Sequence, residues 1–241
     1  MRTGTGIPRR LGFECLEDRR VLNGTVTVSN SGGMLTITGD ARSNSMLIQQ
    51  VGTTEGTAII RVTGFATKIV SAGTGKTGTS LKFYHVSSID IDESAGGNNH
   101  VTLMNTDLVL AYGVISAKFG AGNDVYSMVN VKANLIITLL GGGNDIGSFS
   151  RVRTTDDDFL LDAGAGRDVV TLDNVQCRGS SRFLEIYVQM GPGRQDALSV
   201  VACAAANGAF MDSGGTDGVL VWKHGGNHLG AEADAGFQIV V

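Results

Sequence analysis

The chain has only two prolines in 241 residues, too few for a collagen-like chain or a Pro-rich linker. Cysteine is scarce and odd in number. Cys15, Cys177 and Cys203 form no Cys-x-x-Cys pair and have no His at ligand spacing, so a zinc site is not indicated. Cys177 and Cys203 read as small buried residues, and a disulfide between them requires neighbouring coils. Aromatics are few, at 9 Phe, 4 Tyr and 1 Trp, which leaves little for a sugar-stacking platform. No apolar run approaches the ~20 residues of a membrane-spanning helix. Charged residues are 17% of the chain, and the net charge is −4 with no basic stripe in the body, so a nucleic-acid partner is not expected.

Glycine is abundant: 35 residues, about twice ordinary usage. A hydrophobic share of 42% argues against wholesale disorder. Val, Ile, Thr and Leu come in short runs punctuated by Gly, Asn and Asp rather than at helical spacing. That pattern is all-β.

One phrase recurs. It is Gly-Ala-Gly-Asn-Asp at 120–124, Gly-Gly-Gly-Asn-Asp at 141–145 and Gly-Ala-Gly-Arg-Asp at 164–168. Gly-Pro-Gly-Arg-Gln-Asp at 191–196 has one extra residue, and Gly-Gly-Thr-Asp at 214–217 is degraded. Earlier copies end in Asn44 and Asn99. From Asn99 onward the acid positions are 25, 21, 23, 28 and 21 residues apart, and the interval of 55 from Asn44 to Asn99 predicts two coils.

The flanks align in columns. Counting back from the first Gly, alternate positions read Phe119, Leu140, Ala163, Met190, then Ala117, Thr138, Leu161, Val188, then Ile115, Ile136, Phe159, Ile186. The intervening column is mixed: Lys118, Leu139, Asp162, Gln189. Such alternation marks a strand with one buried face. After the Asp, the apolar columns are Tyr126, Gly147, Val170, Leu198, then Met128, Phe149, Leu172, Val200, then Val131, Val152, Val175, Cys203. The last step is one residue too long for strict alternation and predicts a bend or bulge.

Each unit is therefore strand, Gly-rich corner, strand and variable connection. Units of this length with one inward column per strand predict a right-handed parallel β-helix, or solenoid, with coils of 21–28 residues, each burying its apolar face against its neighbours. About eight coils at ~4.8 Å would stack to roughly 40 Å. The rival arrangement is an antiparallel β-sandwich, which also has short strands and frequent turns. The solenoid domain spans residues 24–241, preceded by a basic segment at 1–23. The apolar ending Gly236-Phe237-Gln238-Ile239-Val240-Val241 predicts a strand folded over the last coil or end-to-end self-association.

The segment Leu11-Gly12-Phe13-Glu14-Cys15-Leu16-Glu17-Asp18-Arg19-Arg20-Val21-Leu22 resembles the LExLEDRxVL segment that opens many large exported proteins of planctomycete bacteria. The resemblance implies a secreted or cell-surface protein. No apolar core of an ordinary signal peptide follows the basic residues. The Gly-x-Gly-x-Asp phrase resembles the haemolysin-type (RTX) calcium-binding repeat, in which Asp carboxylates and turn carbonyls of successive half-turns enclose Ca²⁺. That resemblance makes Ca²⁺ the implied cofactor and Asp124, Asp145, Asp168, Asp196 and Asp217 the candidate ligands. Two features depart from it: the phrase occurs once per coil instead of every nine residues, and Arg167 and Arg194 enter the corner.

Two functions are consistent with these features. One is a non-catalytic structural or adhesive repeat module of a secreted or cell-surface protein, partnered by a cell-envelope protein or glycan. The other is a carbohydrate-active β-helix enzyme, a polysaccharide lyase or hydrolase, for which an outward pair of carboxylates in a groove is required. No catalytic residues are assigned from sequence. Asp156-Asp157-Asp158 reads as a solvated loop, His224 and His228 as loop residues, and Gly73-Thr74-Gly75-Lys76-Thr77 as a turn without the frame of a phosphate-binding loop.

Overall fold

A computed structural model describes residues 24–178, 186–193, 195–205, 208–214, 218–223, 228–229, 232–235 and 237–240. The basic segment at 1–23, Arg194, Asp217 and His224 lie outside the described residues.

The chain is an all-β solenoid with stacked parallel coils. In sheet A the parallel series runs Met34–Gly39, Ser88–Glu93, Val114–Phe119, Leu135–Leu139, Phe159–Asp162, Ile186–Gln189, Ala209–Asp212 and Glu232–Ala235. In sheet B it runs Ser45–Thr54, His100–Asp107, Val125–Ala133, Ile146–Thr154, Val169–Asp173, Ala197–Val201, Gly218–Lys223 and Phe237–Val240. Pairing within the repeat is parallel and in register: Ile115 faces Ile136 and Ile136 faces Phe159 in sheet A, and Met128 faces Phe149 and Phe149 faces Leu172 in sheet B. An antiparallel sandwich is thereby excluded. The inward columns read from the sequence are all buried, from Ile115, Ala117 and Phe119 to Ile186, Val188 and Met190. Ring contacts connect the inner faces of the two sheets, from Phe119 to Tyr126 (5.2 Å) and from Phe149 to Phe159 (5.1 Å), and Tyr126 meets Phe149 within sheet B (6.0 Å).

The predicted bend after the corner is a left-handed residue six positions beyond the acid. It recurs in five successive coils: Asn105, Asn130, Arg151, Asn174 and Ala202, with φ of 50°, 55°, 54°, 56° and 53°. Three of the five are Asn, which tolerates this region better than other residues with a Cβ. One extra outward residue then restores the inward phase, so that Val131, Val152, Val175 and Cys203 are buried. Cys177 lies one column further on, also buried, and no disulfide joins it to Cys203.

The 55-residue interval is a correction to the coil count. The amide of Asn44 bonds directly to the side chain of Asn99, so the two belong to adjacent coils. The extra residues form an antiparallel cap instead. Thr57–Gly64 pairs with Ser45–Thr54, and Ser80–Val86 pairs in turn with Thr57–Gly64. Gly24–Ser31 pairs antiparallel with Met34–Gly39 and parallel with Thr67–Ser71. One end of both sheets is thus closed by hairpins, a common way of blunting a sheet edge. Gly73 and Thr74 lie in the turn between Thr67–Ser71 and Thr77–Gly78. At the other end, Phe237–Val240 does not fold back; it adds a parallel rung to Gly218–Lys223.

Candidate functional site: the Asn and Asp corner column

Two rows of side chains run up the corner between the sheets. In the first, each backbone N–H donates to the side-chain oxygen of the following coil. Asn44 donates to Asn99 Oδ1 (2.9 Å), Asn99 to Asp124 (2.6 Å), Asp124 to Asp145 (2.8 Å), Asp145 to Asp168 (2.8 Å) and Asp168 to Asp196 (2.8 Å). The second row, one residue earlier, runs the opposite way. Asn98 donates to Ser43 Oγ (3.0 Å), Asn123 to Asn98 Oδ1 (2.9 Å), Asn144 to Asn123 Oδ1 (2.8 Å) and Arg167 to Asn144 Oδ1 (3.0 Å). Two consecutive amides at a corner cannot reach strand partners, and buried N–H groups must be satisfied. Short side chains with an acceptor oxygen do so in the next or previous coil. Arginine has no acceptor, so Arg167 receives this support but cannot pass it on.

The glycines of the phrase have a separate cause. Gly143 has φ of +138°, and a Cβ there would lie 1.7 Å from the carbonyl oxygen of Gly122. At Gly166 the corresponding approach, to Gly143, is 1.4 Å. Coil backbones meet at these positions with no room for a side chain. The middle residue is different: a Cβ on Gly142 meets nothing closer than 3.8 Å, and Ala121, Ala165 and Pro192 occupy the equivalent place.

The structure brings Asp124, Asp145, Asp168 and Asp196 into one file, each with an exposure of 1% or less. One oxygen of each is engaged by the row of amides. The other oxygen, Oδ2, of Asp124, Asp145 and Asp168 is buried with no hydrogen-bond partner. Burial, opposed by the bonds from backbone amides, pushes the carboxyl of Asp145 up to about 7 and that of Asp168 up to about 6, with neighbouring carboxylates adding to both. Asp124 and Asp196 are raised for the same leading reason.

The Asn members show what satisfies this position. Asn99 Nδ2 donates to the carbonyls of Gly96 (3.3 Å) and Gly97 (3.4 Å), and Asn44 Nδ2 donates to that of Arg42 (3.1 Å). A protonated Asp has the same shape and presents an O–H where Asn presents its NH₂. Calcium would instead need 6–8 oxygens converging on one point. The carboxylates stand in file, one per coil with one oxygen already engaged. Among the described residues no three or more His, Cys, Asp or Glu side chains group to hold a metal. The residues therefore fit a proton better than a cage.

Glu93 belongs to this site and was not singled out from sequence. It stands in register with Phe119 at an inward position of sheet A and is fully buried. Asn44 Nδ2 donates to its Oε2 (2.9 Å), while Oε1 has no partner. Burial above all, reinforced by Asp124, Asp40 and Asp92, raises its carboxyl to about 8. The side chain fills the space beside Gly39, where a Cβ would lie 1.9 Å from Oε2. Its sequence signal was the alternation of Ile89, Ile91 and Glu93, in which a carboxylate follows two inward residues. The row of Asn98, Asn123 and Asn144 was also legible, as an Asn immediately before the acid position in three coils.

The outer faces bear on the enzyme reading. A groove of about 390 Å³ on sheet A is lined by Ile137, Leu139, Leu160, Asp162, Tyr187 and Gln189; its lining carries one carboxylate, Asp162. Tyr187 stacks on Phe210 at 5.1 Å. Asp92, elsewhere on the sheet, accepts from the amide and hydroxyl of Ser94, which together hold its carboxyl below the usual range.

No protein-family model matches the chain, and neither curated proteins nor solved structures yield a match. No helix among the described residues is long and apolar enough to cross a membrane.

Proposed function

We propose that the chain is a non-catalytic structural or adhesive repeat module of a secreted or cell-surface protein. The carrying observation is that the repeated polar phrase is consumed internally. Its Asp and Asn oxygens accept the corner amides of adjacent coils, leaving an extended outer surface. Such surfaces suit solenoids that bind along their length. The secreted location rests on the resemblance of residues 11–22. End-to-end self-association through edge pairing of the rungs Glu232–Ala235 and Phe237–Val240 is part of this reading.

The competing reading is a carbohydrate-active enzyme. Incubating the protein with a panel of acidic and neutral polysaccharides and measuring new reducing or unsaturated ends tests it. Turnover that survives purification would overturn the non-catalytic reading. Calcium is the alternative means of neutralising the corner file, supported by the unpartnered Oδ2 atoms. Thermal unfolding in millimolar Ca²⁺ against EDTA separates the two, since an ion bound only by the native state raises the midpoint.

A further inference from the structure

The bend in sheet B aligns a second set of polar side chains on the outside of the stack. At the left-handed positions these are Asn105, Asn130, Arg151 and Asn174. Two residues on, beyond one buried Val or its equivalent, the outward column reads Asp107, Lys132, Arg153 and Gln176, paired rung to rung. Lys132 and Arg153 are therefore neighbours across a parallel ladder, about 4.8 Å apart at the backbone. Arg151 flanks Arg153 on the same side of the strand.

Like charges in adjacent rungs repel, and the available acids do not compensate them all. Asp107 is paired with Lys132 Nζ at 3.0 Å, and Asp173 accepts from Ser150 Oγ. Among the described residues the ion pairs are Lys132–Asp107 and His85–Glu55, so neither Arg151 nor Arg153 has an acidic partner there. The Nε of Arg153 is buried and has no hydrogen-bond partner. A guanidinium can match a carboxylate with two parallel bonds. In the next coil Gln176 pairs with Arg153, and its Nε2 donates to Asn174 Oδ1 at 2.9 Å. A polar cleft of about 430 Å³, bordered by Gln50, Gly52, Asn105, Asn130, Asp107 and Lys132, continues the same edge.

We propose that this edge binds an acidic polysaccharide along the stack. Arg151 and Arg153 take its carboxylates, and the amides of Asn130, Asn174 and Gln176 take its hydroxyls. Two arginines in one coil, flanked by side-chain amides in the coils on either side, fit a linear polymer bearing sugar carboxylates. The edge columns carry no aromatic residue for stacking bases, unlike surfaces that hold single-stranded nucleic acid. The inference names a partner for the adhesive module and rests on that reading.

The test is affinity electrophoresis and calorimetry of the full chain with polygalacturonate, with neutral dextran and with single-stranded DNA. Polygalacturonate is expected to bind, with an affinity that falls as salt rises. The R151Q/R153Q variant should bind at least ten-fold more weakly with an unchanged melting temperature. The single variant R151Q, at an exposed position, should show part of that loss and serves if the double variant does not fold. Equal retention by dextran, stronger binding of DNA, or undiminished binding by both variants would overturn the proposal. Absence of polysaccharide binding also overturns it while leaving the structural module standing. Shortening of polygalacturonate by the wild-type chain overturns the non-catalytic reading instead, and leaves binding at this edge supported if R151Q weakens it.

Discussion

Replacing Asp145 with Asn should stabilise the protein at pH 8 and change little at pH 4. The side chain is fully buried, its Oδ1 accepts from the Asp124 amide at 2.8 Å, and its Oδ2 has no partner. Its carboxyl titrates near 7 in the fold against an ordinary 3.8. The native state therefore keeps its proton to higher pH than the unfolded chain does. Between about pH 4 and 7 the native state binds more protons, and stability falls as pH rises. At about 1.36 kcal/mol per unit, a rise of roughly three units sets a ceiling of ~4 kcal/mol on the penalty above pH 7. Asn keeps the acceptor oxygen and carries no charge, and Asn44 and Asn99 already fill this position in two coils. Urea unfolding followed by circular dichroism from pH 4 to 8 should place Asp145→Asn ~2–4 kcal/mol above wild type at pH 8 and within ~1 kcal/mol at pH 4. Asp145→Ala removes the acceptor and strands the Asp124 amide, at a cost of ~1–3 kcal/mol, so it should be the least stable of the three at pH 4. If Asp145→Asn is less stable than wild type at pH 8, the carboxylate is being used as an anion, and the raised titration of Asp145 is wrong.

The same linkage extends to the whole protein. With Glu93 near 8 and Asp168 near 6, wild-type stability should decline from pH 5 to 8, and a Tm that climbs over this range would contradict the assignment. Gly143→Ala should cost at least ~3 kcal/mol, because a Cβ would lie 1.7 Å from a neighbouring carbonyl oxygen at positive φ. Gly142→Ala, one residue away with open space, should be neutral or stabilising by up to ~1 kcal/mol. Equal melting temperatures for the two variants would refute the stacked corner. Asn130→Val places a β-branched residue at φ 55° and removes the amide that donates to Asn105; a loss of ~1–3 kcal/mol is expected, with Asn130→Gly losing less. Addition of millimolar Ca²⁺ should leave the midpoint where EDTA leaves it, and a rise of several degrees would restore calcium to the Asp124–Asp196 file.

Much of the repeat was legible because a parallel coil imposes one requirement on each column. Ile115, Ile136, Phe159 and Ile186 line up in the sequence since each packs against the coil before and after it. The extra residue before Val131 and Val152 disclosed a bend for the same reason, although not that it was a left-handed Asn or Arg. The cap escaped detection. The strands Thr57–Gly64 and Ser80–Val86 alternate like those of the coils, and alternation does not distinguish a parallel from an antiparallel neighbour.

The corner phrase separates the two levels most clearly. Its residue types and spacing, read alone, determine a Gly-rich turn that recurs once per coil and an acid position that tolerates Asn. They do not say where a carboxylate oxygen points. Stacking decided that, by placing each oxygen within 3 Å of an amide from the adjacent coil and sealing the other from solvent. Similar aspartates clustered around a point would hold a cation. Arranged in file at the spacing of a parallel sheet, they serve as hydrogen-bond acceptors between coils.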